Sequence, residues 1–128
     1  MSYTKLEKLL LEFKKDKKLE IHQGYLGDSA KGDKKQLHIY SRNEVSIGGR
    51  KPQKTYIAGV IQQKNFVGFY FMPQYSHPQV FKDKSQSLTK SLKGKSCFHI
   101  TLLDKETLEE LREMLKKGVT LYKKEGWV

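Results

Sequence analysis

Two places in this 128-residue chain carry residue types that do chemistry. The first is Cys97-Phe98-His99-Ile100. On an extended chain alternate residues share a face, so Cys97 and His99 point to one side and Phe98 and Ile100 to the other. A thiol beside an imidazole can ligate a metal or act as nucleophile and base. The same pair also reads as ordinary sheet packing, because a buried thiol behaves as a small hydrophobe. The second place is the basic run Arg50-Lys51-Pro52-Gln53-Lys54 and the aromatic residues after it. Phe66, Gly68, Tyr70 and Met72 take alternate positions of one β-prone run, against Val67, Phe69 and Phe71. The second set is purely apolar and is expected to face the core. The first set is then expected to form an open face, flanked by Cys97 and His99, with Tyr56 on the neighbouring run. Lys95 lies two residues before Cys97. Cations beside aromatic and thioether side chains suit a planar or anionic ligand.

The elements that must position these residues follow from periodicity. Leu6, Leu9, Leu10 and Phe13 recur at helical spacing and predict a helix over 3–18. Residues 20–36 carry Gly24, Gly27 and Gly32 and read as a long connector. LHIYSR (37–42), TYIAGVI (55–61), FVGFYFM (66–72) and SCFHITL (96–102) read as strands. The second and third of these flank the polar QQKN (62–65) and predict a central hairpin. Gly59 and Gly68 inside it point to a bulge or to a close approach by another group. Pro73 is expected to end its strand. A short helix is predicted over 84–93, stopped by Gly94. Asp104 caps a last helix carrying Leu108, Leu111, Met114 and Leu115, with Gly118 as its stop. The tail VTLYKKEGWV must dock, because Tyr122 and Trp127 are costly to leave wet. The fold class is therefore α+β: one domain spanning 1–128, an antiparallel sheet with the terminal helices packed on one face.

Composition bounds the rest. No apolar run approaches the ~20 residues of a membrane span. One cysteine excludes an intramolecular disulfide and a four-thiolate zinc site. The N-terminus lacks the apolar stretch of a secretion signal, so the expected location is the cytoplasm. No GxSxG, HExxH or phosphate-binding glycine loop is present, and Lys93-Gly94-Lys95-Ser96 reads as a turn. Neither a catalytic constellation nor a cofactor or metal is called for. The net charge of +11 is uneven: residues 45–103 hold nine Lys and Arg against one acid, Asp83. A basic stretch of this kind attracts phosphate, nucleic acid or an acidic partner. The excess of Lys over Arg, 22 to 3, speaks for general solubility over bidentate base recognition.

The run TYIAGVIQQKNFVGFYFMP, then LKGKSCFHI, then an amphipathic helix, resembles the YdhG-like domains (domain of unknown function 1801) over roughly residues 37–118. The resemblance rests on the order and spacing of elements. It implies an α+β sandwich and brings no catalytic residues. Some members are likened to frataxin-type iron chaperones, which implies iron binding by carboxylates. The first helix offers Glu7, Glu12, Asp16 and Glu20, interleaved with six lysines.

The leading expectation is a non-enzymatic domain binding a small or anionic partner. The candidate residues are Arg50, Lys51, Lys54, Tyr56, Tyr70, Met72, Lys95, Cys97 and His99. The alternatives are an iron chaperone, an unspecific nucleic-acid binder and, last, a Cys97–His99 enzyme. Charge alone makes one prediction. Affinity for short DNA or RNA should fall steeply with salt and show no sequence preference, as read by anisotropy at two ionic strengths. Salt-independent binding would show that charge does not drive it.

Overall fold

The computed structural model describes residues 2–26 and 34–128. In chain order they form α1 (Ser2–Leu11) with a 3-10 turn (Glu12–Lys15), β1 (Leu19–His22), β2 (Gln36–Val45), β3 (Gln53–Gln62), β4 (Val67–Phe71), α2 (Met72–Ser76), α3 (Gln86–Ser91), β5 (Leu92–Lys93), β6 (Cys97–Ile100) and α4 (Lys105–Glu125). The strands make one antiparallel sheet in the order β1-β2-β3-β4-β6-β5. The predicted hairpin is therefore β3–β4, at the centre.

Directly opposed residues share a face of the sheet. The registers Ala58↔Phe71, Val60↔Phe69 and Phe69↔Phe98 thus put the apolar set of β4 with Ala58, Val60 and Phe98 on one side. That side is the core, and Phe69, Phe71 and Phe98 are fully buried in it. α1 adds Leu6, Leu9 and Leu10, and α4 adds Leu111, Leu115 and Val119. Both terminal helices pack on this same face, as their stripes predict. Phe13 and Leu108 sit only half-buried at its margin. Charges clamp the two helical segments across the top. Arg112 grips Glu12 through Nε and Nη2 at 2.9 and 2.8 Å, and Lys123 meets Asp16 at 2.7 Å. The acids expected to serve iron are in part spent on these pairs.

Several boundaries differ from the sequence reading, each for a physical reason. Leu19–His22, expected within a connector, is an edge strand that buries Leu19 and pairs with β2; residues 27–33 of that connector lie outside the described residues. Met72 opens α2 and does not close β4, because Pro73 in a first helical turn needs no N–H partner. α3 is shorter than expected and is capped by Ser85, whose hydroxyl accepts the Leu88 N–H. Gly94, at φ 74°, turns β5 into β6 and stops no helix.

The largest difference is Gly118. α4 runs through it to Glu125, and Gly126 in the left-handed conformation ends the helix. Gly118 is there for a close approach: a Cβ on it would lie 2.8 Å from the Pro73 ring and 2.9 Å from the Phe71 ring. A glycine read only along the chain looks like a stop; packed across the sheet it is a contact point.

Gly118→Ala therefore opposes two effects. Alanine gains about 1 kcal/mol of helix propensity, while crowding two rigid rings costs about 1–3 kcal/mol. A net loss of stability is expected in urea unfolding. A gain near the full propensity value would show that the rings give way freely.

Candidate functional site

On the sheet's other face the strands present rings in place of aliphatic side chains. A register shift between Ile39 and Tyr40 leaves Tyr40 opposite Tyr56 and keeps both on this face with His38 and Gly59. Their rings meet edge to face at 5.1 Å. Gly59 makes the floor: a Cβ there would stand 2.2 Å from both His38 Nδ1 and the Tyr56 hydroxyl oxygen. Here the expectation of a close approach holds.

His38 is fully buried. Its Nε2–H donates to Gln36 Oε1 at 2.9 Å, so Nδ1 is free to accept the Tyr56 hydroxyl at 2.8 Å. Burial, and secondarily His22 nearby, lowers its pKa to about 4, so the ring is neutral near pH 7. Burial likewise pushes the Tyr56 phenol well above its ordinary value. Tyr25, from the connector after β1, packs on His38 at 4.2 Å and on Tyr56 at 5.5 Å. Tyr25 thus covers part of this face, and the C-terminal tail does not.

The tail docks at the end of the sheet instead. Thr55 Oγ1 donates to the Trp127 carbonyl at 2.5 Å, and the Trp127 ring meets Tyr122 edge to face at 5.0 Å. Between this tail, α2, the two face tyrosines and the β2–β3 loop lies a cleft of about 800 Å³. The loop turns at Gly48 and Gly49, at φ 61° and 79°, with Arg50 N–H returning to the Ile47 carbonyl at 3.2 Å. Two consecutive positive φ values suit a tight hairpin turn and favour glycine. The turn delivers Arg50 and Lys51 to the cleft rim.

Of the nine candidates, Arg50, Lys51, Lys54, Tyr56 and Met72 line this one cleft. Lys95 stands 5.6 Å over the ring of Tyr75, which also lines it. Lys54 is already paired with Glu20, which His22 also meets at 2.6 Å. Burial raises the Glu20 carboxyl, but Lys54 and His22 outweigh it and hold it below its usual range. Arg50 and Lys51 are exposed and form no ion pair among the described residues.

Tyr70, Cys97 and His99 share the open face but line no part of this cleft. The Tyr70 ring lies over Gly68, where a Cβ would meet it at 2.8–2.9 Å. Its hydroxyl accepts from Gln63 at 3.4 Å, and β4 sets Tyr70 directly opposite Cys97. His99 stacks on Phe66 at 3.9 Å. Burial raises the Cys97 thiol, against the activation a nucleophile needs. The cleft also gathers Tyr40, Tyr75, Ser76, Tyr122 and Trp127, which sequence reading did not select. Their only signal was the need of the tail aromatics to dock. Among the described residues no three His, Cys, Asp or Glu side chains group so as to hold a metal ion. No protein-family model, curated protein or solved structure matches the chain.

His38 sets a pH dependence. Its pKa is lower folded than unfolded, so the unfolded chain binds the extra proton first and stability falls as pH drops from about 6.5 to about 4. The loss should reach about 3 kcal/mol. His38→Phe should flatten urea-unfolding stability across that window. An unchanged slope in the variant would assign it to other groups.

Proposed function

We propose that this chain is a binding domain that takes a small anionic, ring-bearing ligand into the cleft at the end of its sheet. The observation that carries the reading is one of placement. A turn and a docked tail, far apart in sequence, bring two cations that are unpaired among the described residues and a wall of aromatic side chains around a single cavity. A volume near 800 Å³ falls within the range of small-molecule sites. Arg50 supplies a planar fork for a phosphate or carboxylate and Lys51 a second positive charge. Tyr56, Tyr75 and Trp127 offer apolar surface for a ring, with Met72 as an adaptable filler.

Extended nucleic acid is the competing partner, since the same cations attract any polyanion. The two differ in what they ask of Tyr70, which lies outside the cleft.

Trp127 is the sole tryptophan and lines the cleft, so its fluorescence reports on the site. Adenosine monophosphate should change it saturably. The double variant Arg50→Ala, Lys51→Ala should weaken binding at least tenfold, because each charge-assisted contact contributes about 1.5–3 kcal/mol. Absence of a saturable change, or equal binding by the variant, would sink the cleft reading. Tyr70→Ala should leave the nucleotide affinity as it was. If it instead weakens single-stranded DNA by about 1–3 kcal/mol while duplex binding stays the same, the face is a base-stacking surface.

A further inference from the structure

The lining of the cleft also includes the start of a chain of polar groups that binding does not use. Ser76, the last residue of α2, places Oγ 2.9 Å from His77 Nδ1. His77 Nε2 lies 3.1 Å from Glu125 Oε2, at the end of α4. The Tyr122 hydroxyl, one helical turn before Glu125, lies 2.7 Å from Ser76 Oγ. Ser76 and Tyr122 both line the cleft.

Hydrogen-bond inventory allows one arrangement of the protons that serves a relay. A carboxylate only accepts, so the proton of His77 is on Nε2 and points at Glu125. Nδ1 then carries the lone pair and accepts the single Ser76 proton. Tyr122 must accordingly donate to Ser76 Oγ. Ser76 has two rival acceptors: the Tyr122 hydroxyl oxygen at 2.7 Å, which competes only when Tyr122 turns its own proton elsewhere, and the Met72 carbonyl at 3.3 Å, which is farther away than the imidazole. Two aromatic rings hold the imidazole in place, Trp127 at 5.4 Å and Tyr122 at 5.9 Å. Burial raises the Tyr122 phenol, which keeps it a neutral donor.

We propose that Ser76, His77 and Glu125 form a nucleophile–base–orienter relay that hydrolyses small carboxylic esters in the cleft. The arrangement meets the geometric criterion for an activated hydroxyl: nucleophile and base in hydrogen-bond reach, and the base oriented by a third group. Ser76 Oγ attacks the ester carbonyl as its proton passes to His77 Nδ1, and Glu125 holds the resulting imidazolium. Tyr122 turns its hydroxyl from Oγ to the carbonyl oxygen as negative charge develops there. The C–O bond to the alcohol breaks, and His77 gives its proton to the departing oxygen. A water then attacks the acyl-serine, loses a proton to Nδ1, and the Oγ–acyl bond breaks as Oγ recovers that proton. Ester and water become acid and alcohol, with no oxidant or other reactant. The idea goes beyond the binding reading and does not need it, because an uncharged ester makes no demand on Arg50 or Lys51.

The test uses the full chain with an uncharged fluorophosphonate, with p-nitrophenyl acetate as turnover substrate. The expected result is an adduct located by mass spectrometry on Ser76, lost in Ser76→Ala, formed at least tenfold more slowly in His77→Gln and Glu125→Gln, and mirrored in ester turnover. Glu125 is exposed, so its variant keeps the proposal testable if His77→Gln does not fold; thermal unfolding checks both. An unlabelled wild-type Ser76 would overturn the relay. Labelling as fast in folded Glu125→Gln as in wild type would also overturn it, leaving the network as a tie between α2 and α4.

Discussion

The fold depends on one constraint: a single sheet face must bury the apolar residues of every strand beneath two helices. Phe69, Phe71 and Phe98 supply the bulk of that layer, and α1 and α4 close it from opposite ends of the chain. α4 reaches its full length only because Gly118 lets it rest against Phe71 and Pro73. A shorter helix would leave Tyr122 and Trp127 without their seat. The cleft is thus a consequence of how α4 packs on the sheet, since Tyr122 at its end lines the cleft wall.

With one face sealed by helices, the other must satisfy itself. It does so with rings that carry polar atoms. Gln36, His38 and Tyr56 form a hydrogen-bonded line over Gly59, and Tyr25 and Tyr40 pack against it. Such a network is sound only when each member is satisfied, because an unmet buried polar group costs more than a met one contributes. His38 meets that condition as a neutral ring. The electrostatics follow the same division. Glu12 and Asp16 are consumed by Arg112 and Lys123 of α4, and Glu20 by Lys54 and His22. Positive charge remains over at the β2–β3 turn, where Arg50 and Lys51 form no ion pair among the described residues, although Glu44 lines the same cleft.

Much of this was legible in the chain. Alternation in FVGFYFM separated core from open face correctly, since a period of two assigns faces without knowledge of neighbours. Helical stripes located α1 and α4, and the Asp104 cap follows from local hydrogen bonding. Net charge by segment marked Arg50, Lys51 and Lys54, which the structure does place together. What sequence misread were residues with two local meanings. Gly118 and Gly94 both look like helix stops, and only long-range packing and strand pairing tell a contact point and a hairpin turn from a stop.

Sequence by itself determined the fold class, the central hairpin, the buried set of β4 and the basic character of its surroundings. These depend on periodicity and composition, which are local properties. Tertiary structure alone decided which candidates share a site. It separated Tyr70, Cys97 and His99 from the cleft, and it joined Ser76 and His77 to Tyr122 and Glu125 across more than forty residues of chain. No spacing rule relates the end of a five-residue helix to the end of a twenty-one-residue one. Their meeting is fixed by where α4 lies on the sheet, and that is set by the shape of the core.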